Sequence, residues 1–280
     1  MKKFIILIPV FNDWESLAKL LAEINENIKD YENINFECMV VNDASTISQP
    51  KITKPKNIKS LRILNMSENR GHARCNAAGL KYINENEEFD YVIPMDGDGE
   101  DRPEELSLLI DKIKDYPNTV ITANRIERSE GFIFKFCYLA HKYLTFIFTG
   151  QTIKYGNYTC LPKYEVNEMI NEPATWSSFS GSLAKIAKDR RSIPSIRGKR
   201  YFGPSKMSFV NLLKHSLSIS AVFKTTLLIR SIFFLIVYLF LVIGNISAIT
   251  LISVVAVIVM MVSVIVLLRR EDIYKNLIIL

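Results

Sequence analysis

A long apolar stretch in the C-terminal quarter restricts how the whole chain can fold. Nearly every residue from Leu227 to Leu268 is apolar, and the stretch is interrupted by Arg230 near its start and by Gly244-Asn245-Ile246-Ser247 in its middle. About 20 apolar residues span a bilayer, so this stretch has room for two spans joined by a tight turn. We predict a transmembrane hairpin with helices over residues 226–244 and 248–268. A buried helical hairpin of a soluble protein is the alternative.

Basic residues flank the apolar stretch on both sides and are absent from its central turn. They are Lys214, Lys224 and Arg230 at the first end and Arg269, Arg270 and Lys275 at the second. Positive charge is retained on the cytoplasmic side of a membrane. We therefore expect a multi-pass protein of the plasma membrane, with the preceding domain and the tail 271–280 in the cytoplasm. Arg230 is expected to snorkel to the interface and to need no functional role.

Two further segments mix aromatic, aliphatic and basic side chains, Phe132–Phe148 and Phe209–Phe223. Such helices lie in the plane of the membrane interface, so we predict interfacial amphipathic helices here, with an ordinary core helix as the alternative for the first. The net charge of +6 suits an anionic bilayer and anionic substrates. Nucleic acid is not an expected partner, because the sequence contains no recognisable binding module. Homo-oligomerisation is left open.

The N-terminal half alternates between short apolar runs and amphipathic segments, the pattern of a doubly wound α/β sheet. Strands are predicted at 4–9, 36–42, 60–65, 90–95 and 119–123, and helices at 13–29, 71–84 and 103–114. The first apolar run is too short for a secretory signal, so we expect a strand and no targeting segment. The four cysteines show no paired spacing and are expected to be reduced core thiols. The three histidines are scattered and are not expected to bind metal.

Polar residues follow three of these predicted strands, where ligands collect in open α/β sheets. Asp96-Gly97-Asp98 follows the fourth strand, and Asn42, Asp43 and Ser45 follow the second. Two carboxylates one residue apart can hold Mg²⁺ or Mn²⁺, which commonly bridges the phosphates of a nucleotide. Taken alone, the tripeptide is a weak signal, because acidic turns after strands are usually just solvated turns. A glycine-containing turn and a small-residue helix, 69–80, offer helix amides to phosphate.

Together these motifs resemble those of the inverting family 2 glycosyltransferases of GT-A fold. The matching segments are Pro9–Asn12, Val41–Ser45, Asn69–Gly79 and Asp96–Asp98 followed by Arg102-Pro103-Glu104. Within the family, the Pro-Glu ending and the later segment Arg200–Lys206 resemble the polyprenyl-phosphate glycosyltransferases, which include dolichol-phosphate mannose synthase. The resemblance implies a GT-A core over 1–130, an acceptor-side and membrane-interface region over 131–225, and transmembrane helices within 226–270.

The resemblance also implies roles for individual residues. The metal ligands would be Asp96, Asp98 and Glu100. The donor-binding residues would be Pro9, Phe11, Asn12, Asp43, Gly71, Arg74 and Asp96, with Asp43 on the nucleobase. A lipid phosphate is already ionised and chiefly needs cations to hold it, and the candidates are Arg125, Arg128, Lys135, Arg200, Ser205 and Lys206. Asp98, Arg125 and Arg200 would be the residues that act in catalysis.

Three positions depart from the family pattern. Residues 155–160 lack the carboxylate and the arginine usual there, Lys135 stands where arginine is expected, and Asn42 replaces an acidic residue. We expect a membrane-anchored, metal-dependent transferase that moves a hexose from a UDP- or GDP-sugar to polyprenyl phosphate. The alternatives are transfer to a lipid-linked or surface-polysaccharide sugar, and an inactive nucleotide-sugar-binding scaffold.

Overall fold

The computed structural model describes residues 1–127, 142–203 and 217–269. The described residues form two compact units, the first made of 1–127 and 154–203 and the second of 142–153 and 217–269. The sequence predicted that the core would end at residue 130, whereas residues 154–203 complete the first unit. They do so because two further strands in this region extend the same sheet.

A seven-stranded sheet forms the centre of the first unit, in the order β3-β2-β1-β4-β6-β5-β7. Its strands are β1 (Lys2–Val10), β2 (Ile34–Asn42), β3 (Ser60–Asn65), β4 (Tyr91–Pro94), β5 (Val120–Glu127), β6 (Tyr155–Pro162) and β7 (Arg190–Ile196). Only β6 runs against its neighbours; the other strands are parallel. The predicted doubly wound, mostly parallel sheet is confirmed, and the five predicted strands match β1 to β5 within a few residues.

Helices cover the sheet on both faces. They are α1 (Trp14–Asn27), α2 (His72–Asn86), α3 (Leu106–Asp115), α4 (Lys163–Asn171) and α5 (Phe179–Ile186), with short 3₁₀ turns at Pro103–Glu105 and Pro173–Trp176. The small residues of α2 let it lie close to the sheet, since a Cβ at Gly79 would stand 2.4 Å from Leu7 Cδ1. The central strand β1 is buried from Phe4 to Val10, as a parallel strand covered on both faces must be.

The cysteines of the first unit, Cys38, Cys75 and Cys160, are buried and unpaired with one another, as predicted. Burial raises the pKa of each thiol, so these side chains stay neutral. The fourth cysteine, Cys137, lies outside the described residues.

The second unit is helical throughout its regular structure. Residues 142–149 and 217–222 are helical, followed by α6 (Lys224–Val242) and α7 (Ala248–Arg269). The hydroxyl of Tyr238 donates to the carbonyl oxygen of Thr250 at 3.0 Å beside the connecting turn. Leu227 and Val264 share a small apolar cluster at the other end, so α6 and α7 are antiparallel. Both helices are long and apolar enough to cross a membrane, at the places that the sequence predicted.

Candidate active site

A polar edge is formed where β1, β2 and β4 end side by side. The three strands are neighbours and parallel, so their carboxyl ends meet at one edge of the sheet. Residues 10–13, 42–47 and 95–101 follow these ends. The sheet thus brings together three of the segments on which the resemblance rests.

The segment 96–101, here called the acidic turn, is folded tightly on itself. The amide of Asp96 donates to Asp101 Oδ2 at 3.0 Å, and the amide of Glu100 donates to Asp98 Oδ1 at 3.0 Å. Gly99 has φ +86°, and a Cβ there would stand 2.5 Å from the ring of Tyr201. Glycine is therefore required at this position for both conformation and space.

The two carboxylates of the Asp-Gly-Asp motif each have a basic partner. Asp96 Oδ1 lies 2.8 Å from His72 Nε2, at the first residue of α2. Asp98 Oδ2 accepts a hydrogen bond from the guanidinium of Arg200 at 2.8 Å. The same guanidinium is paired with Asp13, and its side chain is only 12% exposed.

The two remaining acidic residues of the turn are paired in the same way. Glu100 forms an ion pair with Arg197. Asp101 Oδ1 lies 3.9 Å from a guanidinium nitrogen of Arg125. A Cβ at Gly156 would stand 3.0 Å from that same side chain, so the glycine leaves room for Arg125. Every acidic residue of the turn therefore lies against a basic side chain: a histidine for Asp96 and an arginine for each of the others.

Segment 197–202 lies along the acidic turn. The amide of Gly198 donates to the carbonyl oxygen of Glu100 at 2.8 Å, and the amide of Tyr201 donates to that of Asp98 at 2.9 Å. The preceding strand end is fixed by Glu105, whose buried carboxylate accepts from Ser195 Oγ at 2.7 Å and from the amide of Ile196 at 2.9 Å. Arg200 therefore reaches Asp98 from a backbone that is itself attached to the turn.

Crowding of the carboxylates changes their proton affinities. Burial and the charge of Asp96 raise the pKa of Asp98 to about 6 and that of Asp101 to about 7. Burial would also raise the pKa of Asp96, but His72, Arg125 and Asn157 together hold it well below its usual range. Burial lowers the pKa of His72, but the carboxylates of Asp96, Asp101 and Asp98 together raise it by more, so the net direction is upward.

The donor-side candidates lie along the same edge. Asn12 has φ 52°, its amide donates to Ser45 Oγ at 2.9 Å, and its Oδ1 accepts from the amides of Thr46 and Ile47. Pro9 is within β1, and its carbonyl oxygen would stand 3.0 Å from a Cβ at Gly97.

Asp43 holds the loop that opens α2. Its two carboxylate oxygens accept from the amides of Arg70 and Gly71 at 2.8 Å each. Gly71, with φ +86°, caps α2, and Arg74 lies in the first turn of that helix. Phe11 is 39% exposed at the end of β1. The nucleobase role of Asp43 stays a prediction; the structure gives its carboxylate a role in shaping the loop.

Of the residues predicted to bind the acceptor phosphate, Arg125 and Arg200 both lie against the acidic turn, beside Asp101 and Asp98. Arg128, Lys135, Ser205 and Lys206 lie outside the described residues.

Four residues of the site were missed from the sequence: Asp13, His72, Asp101 and Arg197. Asp101 was detectable as one more carboxylate in an already acidic turn. Asp13 directly follows Asn12, and His72 lies inside the segment 69–80, but nothing in the sequence indicates that their side chains, or that of Arg197, approach the acidic turn.

The chemistry of the acidic turn fits a divalent cation. Among the described residues, no group of three His, Cys, Asp or Glu side chains is already arranged around a metal position. The turn nevertheless presents hard carboxylate oxygens at Asp96 and Asp98. The raised pKa of Asp98 reflects burial first and then the neighbouring charge of Asp96, and a bound cation would offset both. Mg²⁺ is usually bound by one or two carboxylates together with substrate phosphates, so two ligands suffice.

Sequence comparison identifies the family. The model of "Glycosyl transferase family 2" matches residues 5–171. An uncharacterized glycosyltransferase of Synechocystis is 26% identical over 218 residues, covering 76% of this chain and 66% of the relative. The undecaprenyl-phosphate 4-deoxy-4-formamido-L-arabinose transferases of Erwinia tasmaniensis and Proteus mirabilis are 26% and 27% identical over 221 residues, covering 76% of this chain and 65% of each relative. The chain thus spans just under two thirds of the length of these relatives.

Solved structures share the fold. Staphylococcus aureus TarS 1–349 in complex with UDP-GlcNAc has a TM-score of 0.53 at 14% identity, covering 82% of this chain and 70% of its own. Mycobacterium tuberculosis glucosyl-3-phosphoglycerate synthase, solved with Mn²⁺, UDP-glucose and phosphoglyceric acid, has a TM-score of 0.54 at 11% identity, covering 81% and 80%. The chain belongs to glycosyltransferase family 2 and has the GT-A fold.

Proposed function

We propose that this family 2 glycosyltransferase moves one sugar from a nucleotide-sugar donor to polyprenyl phosphate, with inversion at the anomeric carbon, while anchored in the membrane by α6 and α7. The donor would be a UDP- or GDP-hexose. The relatives named for transfer to undecaprenyl phosphate support the acceptor class. The cytoplasmic face of the plasma membrane is the proposed location, from the distribution of basic residues around the hairpin.

The observation that carries the proposal is that each carboxylate of the acidic turn lies against a basic side chain, including the guanidinium groups of Arg125 and Arg200. A sugar hydroxyl must lose a proton as it attacks, and the enzyme then needs a carboxylate free to accept it. The carboxylates of Asp98 and Asp101 instead face Arg200 and Arg125. Guanidinium groups suit the two-point binding of phosphate, which is nucleophilic without a base. This arrangement favours a phosphate acceptor over a saccharide acceptor.

A divalent ion fits the same turn and would be held by Asp96 and Asp98, with Glu100 as a third candidate. When bound, it would neutralise the charge that develops on the departing nucleoside diphosphate. A neighbour of the same fold was solved with Mn²⁺ and a UDP-sugar, which supports divalent-ion use in general.

The chain's own residues would do the remaining work. Arg125 and Arg200 would hold the acceptor phosphate in line with the anomeric carbon and shield it from the donor's charge. Asp43 fixes the amides of the loop before α2, and that loop, with Arg74 in the first helical turn, would face the donor phosphates. Phe11 and Asn12 would border the nucleobase.

The test uses the full chain in detergent with Mg²⁺ or Mn²⁺, undecaprenyl phosphate and a panel of nucleotide sugars labelled in the sugar. We expect label in the lipid fraction with one donor, absent in Asp98→Ala. The matched control is Asp111→Ala, which removes an exposed carboxylate from α3 and should leave transfer unchanged. Donor hydrolysis without lipid label would favour a saccharide acceptor. Donor binding without turnover would favour an inactive scaffold.

A further inference from the structure

Arg230 is a charged residue inside a helix that is otherwise apolar. It lies six residues after Lys224, the first residue of α6, and therefore about 9 Å along the helix at 1.5 Å per residue. A charge at such a depth in a membrane is costly unless it finds a partner. Snorkelling was the expectation from the sequence, and the structure gives this side chain a different environment.

The partner of Arg230 is the end of the short helix 142–149. Its Nη1 atom donates to the carbonyl oxygens of Phe146 and Ile147, at 3.3 and 3.0 Å. These carbonyls belong to the last turn, where a helix carries partial negative charge and unsatisfied acceptors. Arg230 therefore caps helix 142–149 from the side of a different helix, within the second unit.

Gly150 makes this cap possible. It has φ +75°, and its amide donates to the carbonyl oxygen of Phe146 at 2.8 Å, which is how a glycine ends a helix. A Cβ at this position would stand 3.1 Å from an Arg230 guanidinium nitrogen. A larger residue would thus disturb both the helix end and the guanidinium that binds to it.

Apolar contacts attach the same short helix to the hairpin. The ring of Phe148 packs edge-on against that of Phe234, one turn after Arg230, with centroids 5.8 Å apart. Phe148 also packs against the buried cluster of Ala221, Leu227 and Val264, of which the last two belong to α6 and α7. The short helix is therefore docked on the hairpin by a polar contact and by an apolar one.

The outward face of helix 142–149 has the polarity of a lipid-facing surface. Its exposed residues include Tyr143, Leu144, Phe146 and Ile147, whereas Thr145 and Thr149 are buried. A helix in water buries its apolar side chains and exposes its hydroxyls, and here the order is reversed. These four exposed side chains belong to a helical segment that packs against a candidate membrane-spanning helix.

We propose that Arg230 clamps helix 142–149 to α6 at the boundary between lipid headgroups and acyl chains, with Tyr143, Leu144, Phe146 and Ile147 embedded in the bilayer. The position of the clamp, about 9 Å into the span, matches the depth of roughly 5–10 Å at which interfacial helices lie. The inference rests on the membrane anchoring in the proposed function and adds an anchoring residue and a defined lipid-contacting face.

Quenching of tryptophan fluorescence by brominated lipids tests the proposal. The chain contains two tryptophans, and Trp14 and Trp176 are buried in the first unit at 5% and 6% exposure. A Tyr143→Trp substitution therefore adds a reporter on the outward face. The full chain is reconstituted into phosphatidylcholine vesicles brominated at carbons 6 and 7 or at carbons 11 and 12 of the acyl chain. We expect the shallow bromines to quench at least about twofold more strongly.

Three second substitutions in the Tyr143→Trp background define the role of the clamp. Arg230→Gln removes the cap while making α6 more apolar, and Gly150→Ala disturbs the site to which the cap binds. Both should abolish most of the shallow quenching. Lys224→Gln removes a positive charge from the start of the same helix and should leave the quenching unchanged.

Flotation of the vesicles separates failure of the anchor from failure of the clamp. Protein that does not float would contradict the membrane anchor itself. Protein that floats but shows no additional quenching at position 143 would overturn the lipid-facing assignment. Quenching that survives both Arg230→Gln and Gly150→Ala would overturn the clamp.

Discussion

Arg200→Gln is expected to strengthen binding of the free metal ion and to weaken sugar transfer. The guanidinium of Arg200 lies between Asp98 and Asp13 and also donates to the carbonyl oxygen of Phe202 at 2.9 Å. Arg200 therefore forms an ion pair with Asp98, the leading candidate for a metal ligand. A metal ion binding without nucleotide must break the contact between this guanidinium and Asp98, which leaves Arg200 with Asp13 and the Phe202 carbonyl alone. With the donor and acceptor phosphates present, that guanidinium gains a new partner.

The magnitude follows from the geometry of the pair. The Arg200 side chain is 12% exposed and Asp98 is 20% exposed, so the pair is stronger than a surface ion pair but still in reach of water. We take its competing contribution as about 1–2 kcal/mol, which corresponds to roughly 5- to 30-fold tighter Mn²⁺ binding in Arg200→Gln. Loss of one preorganised donor for a reacting phosphate should lower kcat/KM for transfer by about 100-fold or more.

Electron paramagnetic resonance of free Mn²⁺ measures the first quantity on the full chain in detergent, and lipid-phase label measures the second. Arg62→Gln is the matched control, because Arg62 also bridges two carboxylates, Glu37 and Glu87, but lies near the start of β3, away from the polar edge. It should lower stability and leave Mn²⁺ affinity unchanged. Weaker or unaltered Mn²⁺ binding in Arg200→Gln would refute the competition.

Further predictions concern the acidic turn and its supports. Gly99→Ala should lower the free energy of unfolding by roughly 2–4 kcal/mol, because it adds a steric clash to an unfavourable φ. Gly71→Ala should lower it by only about 1 kcal/mol, because Gly71 has the same φ but no described atom lies within 4 Å of the added Cβ. Thermal unfolding of the two variants compares these effects. Glu105→Ala should cost about 2–4 kcal/mol, because a buried hydroxyl and a part-buried amide lose their acceptor, and denaturant unfolding would show no such change if those hydrogen bonds were unimportant. The raised pKa values of Asp98 and Asp101, about 6 and 7, mean that the folded state holds more protons than the unfolded chain above pH 4, so stability is lost as pH rises toward 7. Asp101→Asn should therefore flatten the fall in melting temperature between pH 5 and 7.5 in metal-free protein, and an unchanged slope would contradict the assignment.

Three strands of the sheet, β1, β2 and β4, could be predicted because a buried apolar run makes up most of each one. β1, β2 and β4 are buried on both faces, and this burial is visible directly as apolar composition. The start of α2 was also readable, since a glycine turn precedes small residues that pack on the sheet. These features are local, and the sequence records them locally.

β6 and β7 were not predicted because they lack such a pattern. β6 begins Tyr-Gly-Asn-Tyr, with half-buried residues before a buried end, and β7 contains two arginines and Pro194. Their strand conformation is imposed by pairing with β5, which lies between them. Tertiary context therefore decided these elements, as it often does for strands of weak intrinsic preference.

The partners of the predicted site residues were equally hidden. Asp96 and Asp98 were identifiable as a pair of carboxylates, but His72 and Arg200 reach them from 24 and 102 residues away in the chain. Arg230 shows the same limitation in the second unit. Its sequence context shows a charged residue in an apolar helix. The carbonyl oxygens that accept its hydrogen bonds, those of Phe146 and Ile147, lie more than 80 residues earlier in the chain.

The most direct test of the proposed reaction is the stoichiometry of its two products. With Mg²⁺ or Mn²⁺, the matching nucleotide sugar and undecaprenyl phosphate, mass spectrometry should detect one glycosylated polyprenyl phosphate for each nucleoside diphosphate released. Both products should disappear in Asp98→Ala. Nucleoside diphosphate released at the wild-type rate without any glycosylated lipid, or full lipid product from Asp98→Ala, would contradict the account.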